Sequence, residues 1–164
     1  MKFPRCIRLD ASDTHVFPRA AAPGEWAVPG GLTFGGCDPE TLDKKTRFAF
    51  QSGWLGTESL GWSSLVEVAE IEDAEFARVV ECLAKGFVSV LGAPDLTSAR
   101  DAAHAEADYA AGLCNHKPHT LLALERGLAE AEIFERIRVV VPERAQDHAK
   151  IWEIVPQEDN DPPA

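Results

Sequence analysis

The densest run of chemically capable side chains is Cys114, Asn115, His116, Lys117, Pro118 and His119. It places a thiol and two imidazoles in the order C-x-H-x-x-H, and zinc takes both ligand types. One expectation is therefore a divalent transition metal held by Cys114, His116 and His119. A structural zinc site ordinarily needs a fourth ligand, and no CxxC or HxxxH follows. The other expectation is a polar loop between two elements, with no cofactor.

A second set lies just upstream. Asp101, His104 and Asp108 fall at i, i+3 and i+7, so one helical face carries an imidazole between two carboxylates. Such a face can bind a cation or raise the histidine pKa, or it can be an ordinary solvated face. Cys37 follows Gly35-Gly36 just before a predicted helix start, where a helix dipole favours thiolate. His15 is the N-terminal imidazole that could serve it as a base. Gly61-Trp62-Ser63-Ser64-Leu65 lacks the second glycine of a nucleophile elbow. The Gly30-Gly31 and Gly35-Gly36 pairs are neither a dinucleotide fingerprint nor a P-loop.

The third candidate is aromatic. Residues 51–71 read QSGWLGTESLGWSSLVEVAEI, with Gly53, Gly56 and Gly61 spaced as turn residues between large apolar side chains. Trp54 and Trp62 flank this hinge. Either they are core, or they form an exposed recognition surface.

The elements that must carry these groups follow from periodicity. Residues 3–9 alternate in hydropathy around Pro4, which predicts an edge strand. Trp26 and Val28 fall in phase with Leu32 and Phe34 across Pro29-Gly30-Gly31, as in a bulged or broken strand. Asp38-Pro39 opens a helix ending near Ser52. Residues 62–71 are apolar on both faces and predict a central strand. Asp73 caps a helix with the stripe Phe76, Val79, Val80, Leu83, Phe87, Val90 and Leu91, and an alanine-rich helix spans residues 96–113.

From Pro118 a third helix is expected, carrying Leu121, Leu122, Leu124 and Leu128, while residues 132–137 suit helix or strand. Residues 137–141 and 149–155 predict two strands. The fold class is α+β, a single domain over residues 1–155 with an about five-stranded, mostly antiparallel or mixed sheet covered by three to four helices. Residues 156–164 read as a disordered acidic tail.

With 27 acidic against 16 basic residues the chain carries a net charge of −11, which repels nucleic acid and anionic membranes at long range. No apolar run approaches the roughly 20 residues of a membrane span, and the first residues lack a secretory signal. Cytoplasmic residence is expected, with four free cysteines, two of them buried.

At residues 51–71, with MKFPRCIRLD, APGEWAVPGG and HTLLALERGLAEA on either side, the chain resembles a small bacterial family of unknown function. The resemblance covers nearly the whole length. Some members of that family carry a label relating them to a type III extradiol (biphenyl-2,3-diol) dioxygenase, an iron enzyme of the cupin fold. That label implies an H-x-H pair on β strands, whereas His116 and His119 are separated by two residues in a chain rich in predicted helix. The resemblance also implies an accessory role near molybdenum and iron-sulfur redox enzymes. The leading expectation is a non-catalytic protein that binds a protein partner, with a redox-enzyme component as the partner the resemblance implies. The alternative is a small metal-dependent enzyme using the Cys/His site.

Overall fold

In the computed structural model, which describes residues 1–142 and 152–156, the chain starts with β1 (Lys2–Ile7). This strand occupies one edge of a five-stranded sheet, where the missing amide of Pro4 removes no ladder hydrogen bond from an interior strand. The edge is partly covered: Cys6 N–H donates to Glu25 O and Gly24 N–H to Cys6 O, both at 2.8 Å. A short helix, α1 (Ser12–Val16), follows, unanticipated by the apolar pattern. Its buried Asp13 accepts hydrogen bonds from the Ser64 hydroxyl and amide, at 2.7 and 3.2 Å, and so ties the helix down.

The expected broken strand at residues 26–34 is shorter than its phase suggests. Only β2 (Ala27–Val28) forms a strand, preceded by a single bridge from Trp26 to Arg5; Gly30 then adopts φ 78°, and residues Gly31–Phe34 form a 3₁₀ turn. Left-handed backbone at Gly30 ends the extended conformation, so Leu32 and Phe34 leave the strand phase. Asp38 does cap a turn at Pro39, but that turn is a three-residue 3₁₀ piece, Pro39–Thr41. A second cap, Asp43 accepting from Thr46 N–H, starts α2 (Lys44–Ser52). The expected single helix is therefore two.

The hinge builds a small sheet of its own, in the order β2, β3 (Trp54–Gly56), β4 (Trp62–Ser63). The strand predicted over residues 62–71 divides at Ser64, and β5 (Leu65–Glu70) joins the main sheet antiparallel to β1. Next come α3 (Asp73–Ser89) and α4 (Leu96–Gly112), antiparallel neighbours across a short link. Phe76, Val79, Leu83 and Phe87 of α3 are buried, but Val90 and Leu91 lie past the helix end and are exposed, so the stripe stops one turn early. The N-cap is Glu72, with Asp73 in the first turn instead of capping. Ala99, Ala103, Ala107 and Ala110 of α4 are buried, since small side chains let two helices approach closely.

The helix expected from Pro118 is not formed. Residues 121–142 make the longest hairpin, β6 (Leu121–Ala129) against β7 (Glu132–Pro142), turned by Glu130 and Ala131 at φ 50° and 66°. Leucines at 121, 122, 124 and 128 fit both periods, and leucine prefers helix when nothing else decides. Pairing with β5 on one side and β7 on the other decides for strand. The sheet ends at β8 (Trp152–Pro156), giving the order β1-β5-β6-β7-β8 with antiparallel pairing throughout. The expected tail begins at Pro156, which instead ends β8; residues 157–164 lie outside the described residues.

Among the described residues two large apolar clusters result, beside a smaller one of Phe17, Phe34, Ala49 and Phe50. One lies under α3 and α4 and reaches Phe3, Val28 and Leu55. The other packs Trp54 against Cys6, Val66, Val68, Leu122, Leu124 and Ile137.

Candidate functional site

Along β6, Leu122, Leu124 and Arg126 share one face by strand alternation, and opposite them on β7 stand Val139, Ile137 and Glu135. The third pair on this apolar row is therefore an ion pair. The Arg126 side chain is 0% exposed, with Nε donating to Glu135 Oε2 at 2.8 Å. Its remaining donors go to backbone: Nη1 to the carbonyls of Phe50 (2.8 Å) and Ala49 (3.4 Å), Nη2 to those of Pro29 (2.5 Å) and Gly53 (3.3 Å). Ala49 and Phe50 belong to the last turn of α2, where the dipole favours a cation; the Ala49 carbonyl also accepts from Gly53 N–H at 2.8 Å. The guanidinium also lies 5.7 Å from the Phe34 ring centroid. Burial pulls its pKa down, opposed by Glu135, and an arginine remains a cation through the whole range in which proteins fold.

Two residues of α4 complete the group. Tyr109 donates its hydroxyl to Glu135 Oε1 at 3.0 Å, and Gly30 N–H donates to Glu106 Oε2 at 2.8 Å. Burial, then the neighbouring Glu135, push the tyrosine up to about 12. Burial also raises Glu106; the Gly30 amide acts against it, and Glu135 adds to it. A Cβ at Gly31 would stand 2.5 Å from Glu135 Oε2 and 3.1 Å from Arg126 Nε, so a larger residue there would push the carboxylate off Arg126. The chain thus closes over a buried ion pair through its least bulky residue.

Glu106, Tyr109 and Glu135 line a cleft of about 310 Å³, with Gly31, Leu32, Gly35 and Ile133 as the remaining wall. Leu32 and Gly35 also border a second cleft of about 430 Å³, lined by Phe87, Leu91, Ala93, Pro94, Ala99 and Ala102 among others. Leu32 and Leu91 are exposed there, and Val88 and Val90 beside them likewise. A third cleft, about 610 Å³, lies elsewhere on α3 and mixes Glu58, Glu75 and Glu81 with Arg78 and Lys85 around Trp26 and Cys82. Some of its charges are already engaged: Glu75 accepts from Trp26 Nε1, and Glu81 pairs with Arg100.

The Cys/His set is placed differently from what its spacing suggested. Cys114 is buried in the Trp54 cluster, and burial pushes its thiol up to about 12, away from the thiolate that a metal takes. His119 sits on the surface, its side chain 80% exposed, with Nδ1 3.4 Å from Glu67 Oε2. Its backbone has φ 73°, and its N–H donates to Val68 O at 2.7 Å. The His116 carbonyl accepts from Lys2 Nζ at 2.6 Å, and its N–H donates to Cys114 O at 2.8 Å. Among the described residues no three His, Cys, Asp or Glu side chains gather to hold a metal ion. The segment turns the chain from α4 into β6.

His104 and Asp108 do meet, Nδ1 to Oδ2 at 3.0 Å, but on an exposed face of α4 shared with Asp101. Trp54 is 0% exposed and is no recognition surface; its Nε1 has no hydrogen-bond partner among the described residues. Trp62 is half-buried and stacks on Phe34, 5.3 Å between centroids at 28°. Cys37 is exposed, and His15 lies in the last turn of α1.

Sequence reasoning missed the Arg126 group for one reason. Read as a strand, residues 122, 124 and 126 put an arginine in phase with two buried leucines, which flags an inward charge seeking a partner. Read as a helix, the same arginine falls on no special face.

Among the described residues no helix is long and apolar enough to cross a membrane. Comparison with curated proteins and with solved structures gives no match. A family model, described as a family of unknown function, DUF6505, matches residues 1–154. A match over that length places the chain in DUF6505.

Proposed function

We propose that this chain is a non-catalytic, cytoplasmic accessory or assembly factor whose partner docks on the two joined clefts around Leu32. The observation that carries the reading is the pairing of exposed Leu32 and Leu91 with an open apolar cleft between the 3₁₀ turn and the ends of α3 and α4. Large apolar side chains left exposed around a concavity are typical of interaction sites. Arg126, the cation nearest the chemistry of the adjoining cleft, supports the non-catalytic side of the reading. Its donors are committed to four carbonyls and Glu135, so none is offered to a substrate. The acidic surface suits a basic patch on the partner, and the resemblance noted above makes a redox-enzyme component the first partner to seek.

Affinity purification from native cells at low salt tests this directly, with Leu91→Asp in parallel. A partner retained by the natural sequence and lost in Leu91→Asp is the expected result. Recovery of the protein alone, as a monomer, counts against it. So does a partner held equally by both proteins.

A further inference from the structure

Resting on that docking reading, we infer that the groove recognises a protein segment presenting an apolar side chain beside a lysine or arginine. The two clefts share Leu32 and Gly35 and so form one groove. One end is walled by Phe87, Leu91, Pro94 and Ala99 and offers an incoming aliphatic side chain only apolar contact. The other end presents Glu106, Glu135 and Tyr109. Among the described residues no lysine, arginine or histidine lines either cleft, so an acidic or phosphorylated segment would meet no cation from them.

The acidic end sets two carboxylates, Glu135 and Glu106, against one cation, Arg126. Glu135 is matched by Arg126, with both carboxylate oxygens engaged. Glu106 feels Arg126 at longer range, and its one hydrogen bond among the described residues comes from the Gly30 amide to Oε2. An ammonium or guanidinium entering the cleft supplies the counter-charge, and burial makes such a pair count for more than one at an open surface. The net charge of −11 attracts a basic segment before contact. A neutral apolar partner would fill one end of the groove and leave the acidic end with one cation for its two carboxylates.

Three capped, leucine-containing peptides differing only in a central lysine, glutamine or glutamate separate the possibilities, with amide shifts followed by NMR in the isotope-labelled full chain. The expected result is movement of the Gly31, Leu32, Gly35, Gly92 and Tyr109 amides, with the lysine peptide bound about tenfold more tightly than the glutamate peptide. In Glu106→Gln, whose amide oxygen still accepts from Gly30, that ratio should fall to about twofold. In Leu91→Asp, altered at an exposed site, affinity for the glutamine peptide should drop. Equal affinity for lysine and glutamine peptides, with shifts still in the groove, overturns the charge preference and leaves the docking surface standing. An unchanged lysine preference in Glu106→Gln overturns the assignment of that residue. Absence of groove shifts with all three peptides overturns both readings.

Discussion

Two regions of this molecule exchange roles between sequence and structure. Residues 114–119 carry a thiol and two imidazoles within six positions, yet the fold buries the thiol, exposes one imidazole and uses the backbone between them as a connection. The group of Arg126, Glu135, Glu106 and Tyr109 is dispersed over residues 106–135, yet it converges on one ion pair and one cleft. Proximity in sequence measures only what a loop can reach. Convergence is set by strand register and helix face, and here the pairing of Arg126 with Glu135 does that work.

The contrast predicts unequal consequences of substitution. Arg126→Met should cause the largest loss, roughly 3 to 5 kcal/mol, because Glu135 and several buried carbonyls lose their partner together. Denaturant titration measures it, and a loss below about 1 kcal/mol would show the pair to be dispensable. Cys114→Ala should cost less, about 1 to 2 kcal/mol, as a small cavity beside Trp54. Thiol-labelling kinetics check the same placement: Cys37 should react at once and Cys114 only on unfolding. Fast labelling of Cys114 in the native protein would return chemistry to residues 114–119.

Glu106→Gln should act through pH. The folded pKa of Glu106 lies above its ordinary value of 4.5, so the native state binds this proton more tightly than the unfolded chain does. Its stabilising contribution is complete below 4.5 and is lost as pH rises through the raised value. The stability of Glu106→Gln relative to the natural sequence should therefore increase between about pH 4 and pH 7. A difference that stays flat over this window would mean Glu106 is as hydrated as a surface carboxylate. His119→Ala should have the smallest effect, about 0 to 1 kcal/mol, since it removes one exposed pair with Glu67. Glu67 keeps Arg5, whose hydrogen bond, with that of His119, outweighs burial and holds the carboxyl below its ordinary range.

Much of the frame was legible. The edge strand at Pro4, the α3 stripe, the alanine-rich α4 and the α+β class all follow from local patterns that tertiary contacts reinforce. What escaped was decided by distant partners. Glu130-Ala131 turns the β6–β7 hairpin with both residues at positive φ, a conformation usually signalled by asparagine and glycine, so the sequence carried no mark of the turn. Without the turn, four leucines read as helix, and with the helix went the inward phase of Arg126. The site was hidden by one misread connection. Gly30-Gly31 was visible as a pair, but its reasons lie in the fold: positive φ beside Leu55 at Gly30, and at Gly31 the close approach to Glu135, more than a hundred positions downstream.

The bonds of Arg126 also have a direction in time. Its partners at Pro29, Ala49, Phe50 and Gly53 precede it by 73 to 97 positions, so during synthesis each carbonyl waits for the residue that will cap it. At 5 to 20 residues per second, roughly 4 to 15 s pass between Gly53 and Arg126 leaving the ribosome's catalytic centre. Through that interval the Phe50 carbonyl must bond water, and the cluster of Phe34 and Phe50 lacks Ile133. The first half of the nascent chain thus carries buried-to-be carbonyls that β6 satisfies, and β7 completes the group with Glu135.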